Sequence, residues 1–276
     1  MSADLASNLQ VIPAEPPFSG ARPAVLVLPG GGYRFHAPHE GEGVARWWSS
    51  VGCHAAVLHY PLPSESPWPS PLAAAREALQ WWRTGDHGLA VDARAVGVFG
   101  ASSGGHLAGL LATGAILGSL EQAPSSPPRP DFAVLAYSVA DLDLLPDVAV
   151  SGMLGGRMEL RAELSPVTHL GAETCPLFVW TTMEDPPGLT NALRWAEAAQ
   201  EVGASLELHV YPEGWHGLGL ADGVSWGDPP AGERMPPLAS IPHTATWRDA
   251  CQRWLDDVVL GNEPTGPGGL TAPSSR

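Results

Sequence analysis

The sequence predicts an α/β fold: a mainly parallel sheet with helices on both faces. Three observations carry that expectation. Short apolar runs alternate with longer stretches of helical pattern along most of the 276 residues. A content of 44% hydrophobic and 16% charged residues is that of a globular chain with a sizeable core. One junction, Val96-Gly97-Val98-Phe99-Gly100-Ala101-Ser102-Ser103-Gly104-Gly105-His106, passes from a β-branched run through Gly-x-Ser-x-Gly into a helix-forming stretch.

Taken in order, residues 8–13 are expected to add an antiparallel edge strand. The apolar runs at 24–28, 55–58, 95–99, 132–136, 177–180 and 206–211 read as core strands. Helical stretches fall near 43–50, 71–82, 104–115 and 191–202, with a last one near 246–260. This alternation is what implies a parallel sheet covered on both sides. The Pro- and Gly-rich segment 223–242 reads as a surface loop before the last helix. There is no internal repeat and no second domain. One domain is expected over 1–260, its core starting at about residue 24, and a Gly/Pro/Ser-rich tail over 261–276 is expected to be disordered.

Lys plus Arg number 14 against 29 for Asp plus Glu, a formal charge of −15. Nucleic acid and anionic membrane surfaces, which need clustered positive charge, are therefore not expected partners. No stretch has the length of a transmembrane helix, and Met1-Ser2-Ala3-Asp4 lacks the basic and apolar regions of a signal peptide. Cys53, Cys175 and Cys251 are odd in number and scattered, without metal or disulfide spacing. They read as small core residues in a reducing compartment, and a cytoplasmic location is the expectation. A homo-oligomer is compatible with this composition and not fixed by it.

The Gly-x-Ser-x-Gly junction has the form of a sharp strand-to-helix turn that holds a serine above the sheet edge. Ala101-Ser102-Ser103-Gly104-Gly105 also fits a relaxed register centred on Ser103. Only Ser102 has glycine on both sides at the needed spacing, so Ser102 is the expected nucleophile. Functional loops gather at the carboxyl ends of parallel strands. After the first core strand stands Leu28-Pro29-Gly30-Gly31-Gly32-Tyr33, whose backbone can approach a ligand closely. Gly31 and Gly32, with the N–H of Ser103, are the expected oxyanion donors. A dinucleotide-binding reading fails, because Gly-x-Gly-x-x-Gly is not met.

After the run at 177–180 comes Thr181-Thr182-Met183-Glu184-Asp185-Pro186, where Asp185 is the expected triad acid and Glu184 the runner-up. After the run at 206–211 comes Pro212-Glu213-Gly214-Trp215-His216-Gly217, and His216 is the expected base. A serine hydroxyl becomes a nucleophile when a neutral imidazole accepts its proton, and the acid fixes the imidazole tautomer. His36-Ala37-Pro38-His39-Glu40 holds metal-capable side chains, but Pro38 forbids the helical spacing a metal motif needs. The expectation there is a loop with Glu40 or Glu42 at a helix start, and His106 is expected to pack or hydrogen-bond within its helix. Most of the 11 tryptophans, including Trp47, Trp48, Trp81, Trp82 and Trp254, sit on helical stretches that should cover the sheet.

With these residues placed, the sequence resembles the α/β-hydrolase esterases of the acetyl-xylan-esterase and feruloyl-esterase type, related to the hormone-sensitive-lipase group. The resemblance spans about residues 24 to 260. It rests on Leu28-Pro29-Gly30-Gly31-Gly32-Tyr33, Pro38-His39-Glu40-Gly41-Glu42, Gly100-Ala101-Ser102-Ser103-Gly104-Gly105-His106, Leu164-Ser165-Pro166-Val167 and Pro212-Glu213-Gly214-Trp215-His216-Gly217-Leu218. The chain order Ser102, Asp185, His216 is that of the α/β-hydrolases.

The resemblance implies an α/β-hydrolase fold and cofactor-free hydrolysis of short-chain, acetyl-type carboxylic esters through an acyl-enzyme, with acetylated sugars among the substrates. Three departures stand out. Asp185-Pro186-Pro187-Gly188-Leu189 replaces the family's Asp-x-x-Val-Pro. Trp215 stands where glycine is frequent, and with Tyr33 is expected at the substrate pocket. Little sequence precedes the first core strand, so a small cap or none is expected. An aryl-formamidase-like amidohydrolase with the same triad and a non-catalytic binding protein of this fold are the competing readings.

Overall fold

The computed structural model describes residues 2–18, 20–85, 87–120 and 127–261. Among them, seven strands form one sheet: β1 (Leu9–Ile12), β2 (Arg22–Leu28), β3 (His54–Leu58), β4 (Val91–Ala101), β5 (Ala133–Ala136), β6 (Leu177–Thr182) and β7 (Leu206–Tyr211). The spatial order is β1-β3-β2-β4-β5-β6-β7. β1 runs antiparallel to β3, with Leu9 opposite Leu58, and the other pairings are parallel. The expected parallel core and the antiparallel edge strand are both present. The helices are α1 (Ala3–Asn8), α2 (Glu42–Ser50), α3 (Ser70–Thr84), α4 (Ser102–Ala112), α5 (Asp147–Met153), α6 (Pro186–Val202), α7 (Pro242–Ala245) and α8 (Trp247–Trp254).

Side chains of successive strand residues point to opposite faces, and this period of two divides the core into two layers. Leu26, Leu28, Val96, Val98, Leu135 and Val179 face one way, against Leu72 and Trp82 of α3, Leu107 and Leu111 of α4, and Trp195 of α6. Val25, Val27, Phe99, Val134, Phe178 and Trp180 face the other, against Val44 and Trp48 of α2 and Trp247 and Trp254 of α8. Burial of each such side chain stabilises the fold by about 1.5–3 kcal/mol. The helical tryptophans thus do cover the sheet. Trp180 lies against Trp247 with ring centres 4.9 Å apart.

Several boundaries differ from the expected ones, each for a local reason. β4 starts at Val91, because Asp92 and Arg94, paired with each other at 3.0 Å, carry the strand through a polar stretch. α4 starts at Ser102 itself and stops at Ala112, ahead of a left-handed Gly114. α6 starts at Pro186, since two prolines fit a first turn whose N–H groups have no helical partner. α8 ends at Trp254 and continues as a wider π-type turn, Leu255–Val259.

Two features were not foreseen. α1 is capped by the Ser2 hydroxyl, which accepts from the Leu5 amide at 3.1 Å. The long connection from β5 to β6 contains α5 and three short 3-10 turns, Leu142–Leu144, Met158–Leu160 and Pro166–His169. No helix among the described residues is long and apolar enough to cross a membrane. Of the expected tail, residues 262–276 lie outside the described residues.

One close approach in the core of the sheet involves Gly97. A Cβ there would lie 2.3 Å from the buried Phe132 ring. Gly97→Ala is expected to lower the unfolding free energy by about 1–3 kcal/mol through overpacking. A urea titration reads this as a lower midpoint at unchanged slope, and an unmoved midpoint would mean that Phe132 yields freely.

Candidate active site

The carboxyl ends of β2, β4, β6 and β7 bring four loops to one edge of the sheet. Ser102 sits where β4 turns into α4, with φ of 51°, in the left-handed region that disfavours residues with a Cβ. Such a conformation costs about 1–3 kcal/mol and persists only when its surroundings impose it. They do so here: a Cβ on Gly104 would stand 2.0 Å from the Leu28 carbonyl oxygen, so only glycine lets the turn seat against β2. The strained backbone lifts the Ser102 hydroxyl out of the sheet.

His216 follows β7 on a loop braced from three sides. The Thr182 hydroxyl donates to the Gly214 carbonyl at 2.5 Å, and the Gly214 amide donates to Glu184 at 2.8 Å. His39 Nε2 donates to the Gly217 carbonyl at 2.8 Å. Asp185, 2% exposed, heads α6 and accepts from the Gly188 amide at 3.1 Å through Oδ1. Its Oδ2 lies 2.8 Å from His216 Nδ1, and His216 Nε2 lies 2.7 Å from the Ser102 hydroxyl oxygen. A carboxylate can only accept, so Nδ1 carries the proton and Nε2 offers its lone pair to the serine. Glu184, the alternative acid, holds the loop instead. Ser103 is buried, and its hydroxyl accepts from the Tyr33 amide at 3.3 Å.

Burial works against a charged His216, but the hydrogen bond and charge of Asp185, with the charge of Glu40, outweigh it. The imidazole pKa therefore stands above its ordinary value.

The Gly30–Tyr33 loop lies against this turn. Gly31 has φ of 126°, and a Cβ there would meet the Phe35 carbonyl oxygen at 2.1 Å. Among the described residues, none of the hydrogen bonds that tie the loop down uses the amides of Gly31 or Gly32. Ser103 contributes an amide in the unpaired first turn of α4. The three expected donors thus border the two cavities that open at Ser102.

The first cavity, of about 310 Å³, is lined chiefly by apolar groups including Val139, Leu145, Ala149 and Met153. The second, of about 250 Å³, is edged by Gly31, His39, Arg34 and Arg234. Gly32, Arg34, Ser102 and His216 belong to both. The β5–β6 connection therefore walls the first cavity as a small cover.

Two residues expected at the pocket lie elsewhere. Trp215 lines neither cavity, since its indole N–H turns away to the Pro237 carbonyl at 2.8 Å. Tyr33 is 1% exposed, with its hydroxyl 2.8 Å from His106 Nδ1 in the core. His106 in turn donates through Nε2 to the Leu164 carbonyl at 2.6 Å. Burial holds its pKa down at about 4, as befits a packed, neutral imidazole. His36 and His39 diverge, the first toward His59 and Tyr60 and the second toward Gly217. Among the described residues no cluster of three His, Cys, Asp or Glu could hold a metal ion.

Sequence reasoning missed Tyr137 and Glu40 as site residues. Tyr137 stands directly after β5, a position that could have marked it. Glu40 could not have been told from a helix-start carboxylate, a part that Glu42 takes in the first turn of α2.

With fold and site in view, comparisons with known proteins are specific. The model of an alpha/beta hydrolase fold family, Abhydrolase_3, matches residues 25–220. The chain is 28% identical over 215 residues, 73% of its length, to endo-1,4-beta-xylanase B of Butyrivibrio fibrisolvens. It is 24% identical over 224 residues, 74% of its length, to an acetylxylan esterase of Xylanibacter ruminicola. It spans only 33% and 43% of those two longer proteins.

Among solved structures, an acetyl ester-xyloside bifunctional hydrolase from Caldicellulosiruptor lactoaceticus superposes with a TM-score of 0.74 at 31% identity, covering 90% of this chain and 87% of that one. A carboxylesterase from Lactobacillus plantarum, at 22% identity and a TM-score of 0.72 over 90% and 91% of the two chains, shares the fold. The protein therefore belongs to the alpha/beta hydrolase fold family.

Proposed function

We propose that the protein is a serine carboxylesterase that hydrolyses short-chain, acetyl-type esters, acetylated sugars among them, through an acyl-enzyme. The reading is carried by one observation, the continuous hydrogen-bonded path from Ser102 through His216 to Asp185 beside amides free to receive an oxyanion. The acetyl-ester activities named for the relatives support the choice of acyl group. Arg234 at the second cavity, with Arg34 at the mouth the two cavities share, suits a polar alcohol, and the chiefly apolar lining of the first cavity suits the acyl chain.

In this reading Ser102 Oγ attacks the ester carbonyl while its proton passes to His216 Nε2. The carbonyl oxygen becomes an oxyanion facing the amides of Gly31, Gly32 and Ser103, each donor worth about 3–4 kcal/mol at the transition state. Asp185 holds the imidazolium in place without taking its proton. Collapse expels the alcohol, protonated by His216, and leaves the acyl-Ser102 ester. Water then gives its proton to His216 and releases the acid, and Ser102 takes the proton back.

Ser102→Ala should abolish p-nitrophenyl acetate hydrolysis, with any residue at least about a thousandfold below wild type. Equal rates in both proteins would remove the serine from the reaction. The base works only when neutral, so kcat/KM should rise with pH along a limb lying above the ordinary imidazole value of about 6.5. A profile already level from pH 5 would exclude His216 as the base. Ala149→Phe should fill the first cavity and cut kcat/KM for hexanoate at least about tenfold relative to acetate, as expected when several methylenes lose their pocket. An unchanged ratio would move the acyl chain to the second cavity. The apolar lining also fits an aryl ring, so an N-formyl aromatic amine turned over faster than an aryl acetate would replace the ester by the amide.

A further inference from the structure

Behind the triad lies a second carboxylate. Glu40, 2% exposed, sits on the 3-10 turn Pro38–Glu40 before α2. The cation-capable group beside it is His39, whose Nε2 is 3.8 Å from Oε1. A buried carboxylate is expensive unless hydrogen bonds satisfy it, and here they do. Oε2 accepts from the Gly30 amide at 2.9 Å, and Oε1 accepts from the Tyr137 hydroxyl at 2.7 Å. That hydroxyl also accepts from the Gly219 amide at 2.9 Å. The Tyr137 ring meets His216 edge to face with centres 5.1 Å apart.

We propose that Glu40 is a positioning residue for the hydrolysis: through Gly30 it fixes the loop of oxyanion donors, and through Tyr137 it fixes the loop and ring of His216. The inference rests on the triad reading above. Tyr137 itself has φ of 36°, a strained backbone for a tyrosine, and its hydroxyl is held at both ends. His216 meets Ser102 at the start of α4, Asp185 at the head of α6 and Tyr137 just after β5, with Glu40 one hydrogen bond behind Tyr137 and Arg234 across the second cavity. His39 bonds the neighbouring Gly217, and Arg34 borders the same cavities from a solvent-exposed position. Two carboxylates thus support the imidazolium that forms when Ser102 loses its proton. Support of this kind strengthens as charge develops and so lowers the barrier rather than merely tightening substrate binding.

The test uses Glu40→Gln, Glu40→Asp and Tyr137→Phe in the full chain. Aryl acetate kinetics across pH are combined with an NMR titration of the His216 ring nitrogens. Glu40→Gln removes a negative charge, so the imidazolium loses support and its titration moves to lower pH, taking the acid limb of kcat/KM with it. Its plateau kcat should fall about tenfold at little-changed KM, the scale of a slightly misplaced catalytic group. Glu40→Asp should restore the position of the limb. Tyr137→Phe keeps the charge and cuts the bridge, so kcat should fall without a downward shift of the limb.

A Glu40→Gln protein whose His216 titration and limb stay at the wild-type position would overturn the proposal. If Glu40→Gln does not fold, wild-type kcat in Tyr137→Phe would overturn it equally. The NMR titration needs no turnover, so it decides the role of Glu40 even where esters prove not to be substrates.

Discussion

The contact on which the site depends is the seating of the Gly100–Gly104 turn against β2. With the Gly104 Cα packed on the Leu28 carbonyl, the chain can leave β4 and enter α4 within one residue. Ser102 is thereby forced into a conformation it would not choose. The same contact brings the start of the Gly30–Tyr33 loop alongside the serine. The proposed nucleophile and oxyanion donors are thus set by one packing event between neighbouring parallel strands, and their spacing does not rely on flexible side chains.

The remaining parts are tied to that centre through short polar links. Thr182 at the end of β6 and Glu184 just past it hold Gly214, while His39 holds Gly217, so His216 is clamped on both sides. Asn191 of α6 accepts from the amides of Ala140 and Asp141 at 2.9 and 3.1 Å, anchoring the start of the β5–β6 connection. Polar side chains thus fix irregular backbone where no sheet or helix can satisfy it. The geometry of the candidate site is a property of loops held by specific bonds.

Much of this was legible in the sequence because the relevant signals are local. The apolar runs gave the strands, and Gly100, Ser102 and Gly104 marked the turn. Asp185 and His216 were singled out by their places after successive strands, and the structure brings them together. The failures were of two kinds. Trp215 and Tyr33 lie beside catalytic residues in sequence, but backbone conformation sends their side chains elsewhere: Tyr33 has φ of 58° and turns into the core. Glu40 and Tyr137 meet across 97 residues, and such a pairing has no signature in local pattern. α5 escaped because its seven residues are too few, and Val148 at 83% exposed is set outward, so no amphipathic stripe develops.

Asp185 holds two positions at once, as the partner of His216 and as the cap of α6. Helix ends open locally far more often than whole domains unfold. When the first turn of α6 frays, the Gly188 amide and the His216 ring lose the same carboxylate together. Hydrogen exchange at Gly188 and loss of the aligned imidazole on warming are therefore expected to be two readings of one opening.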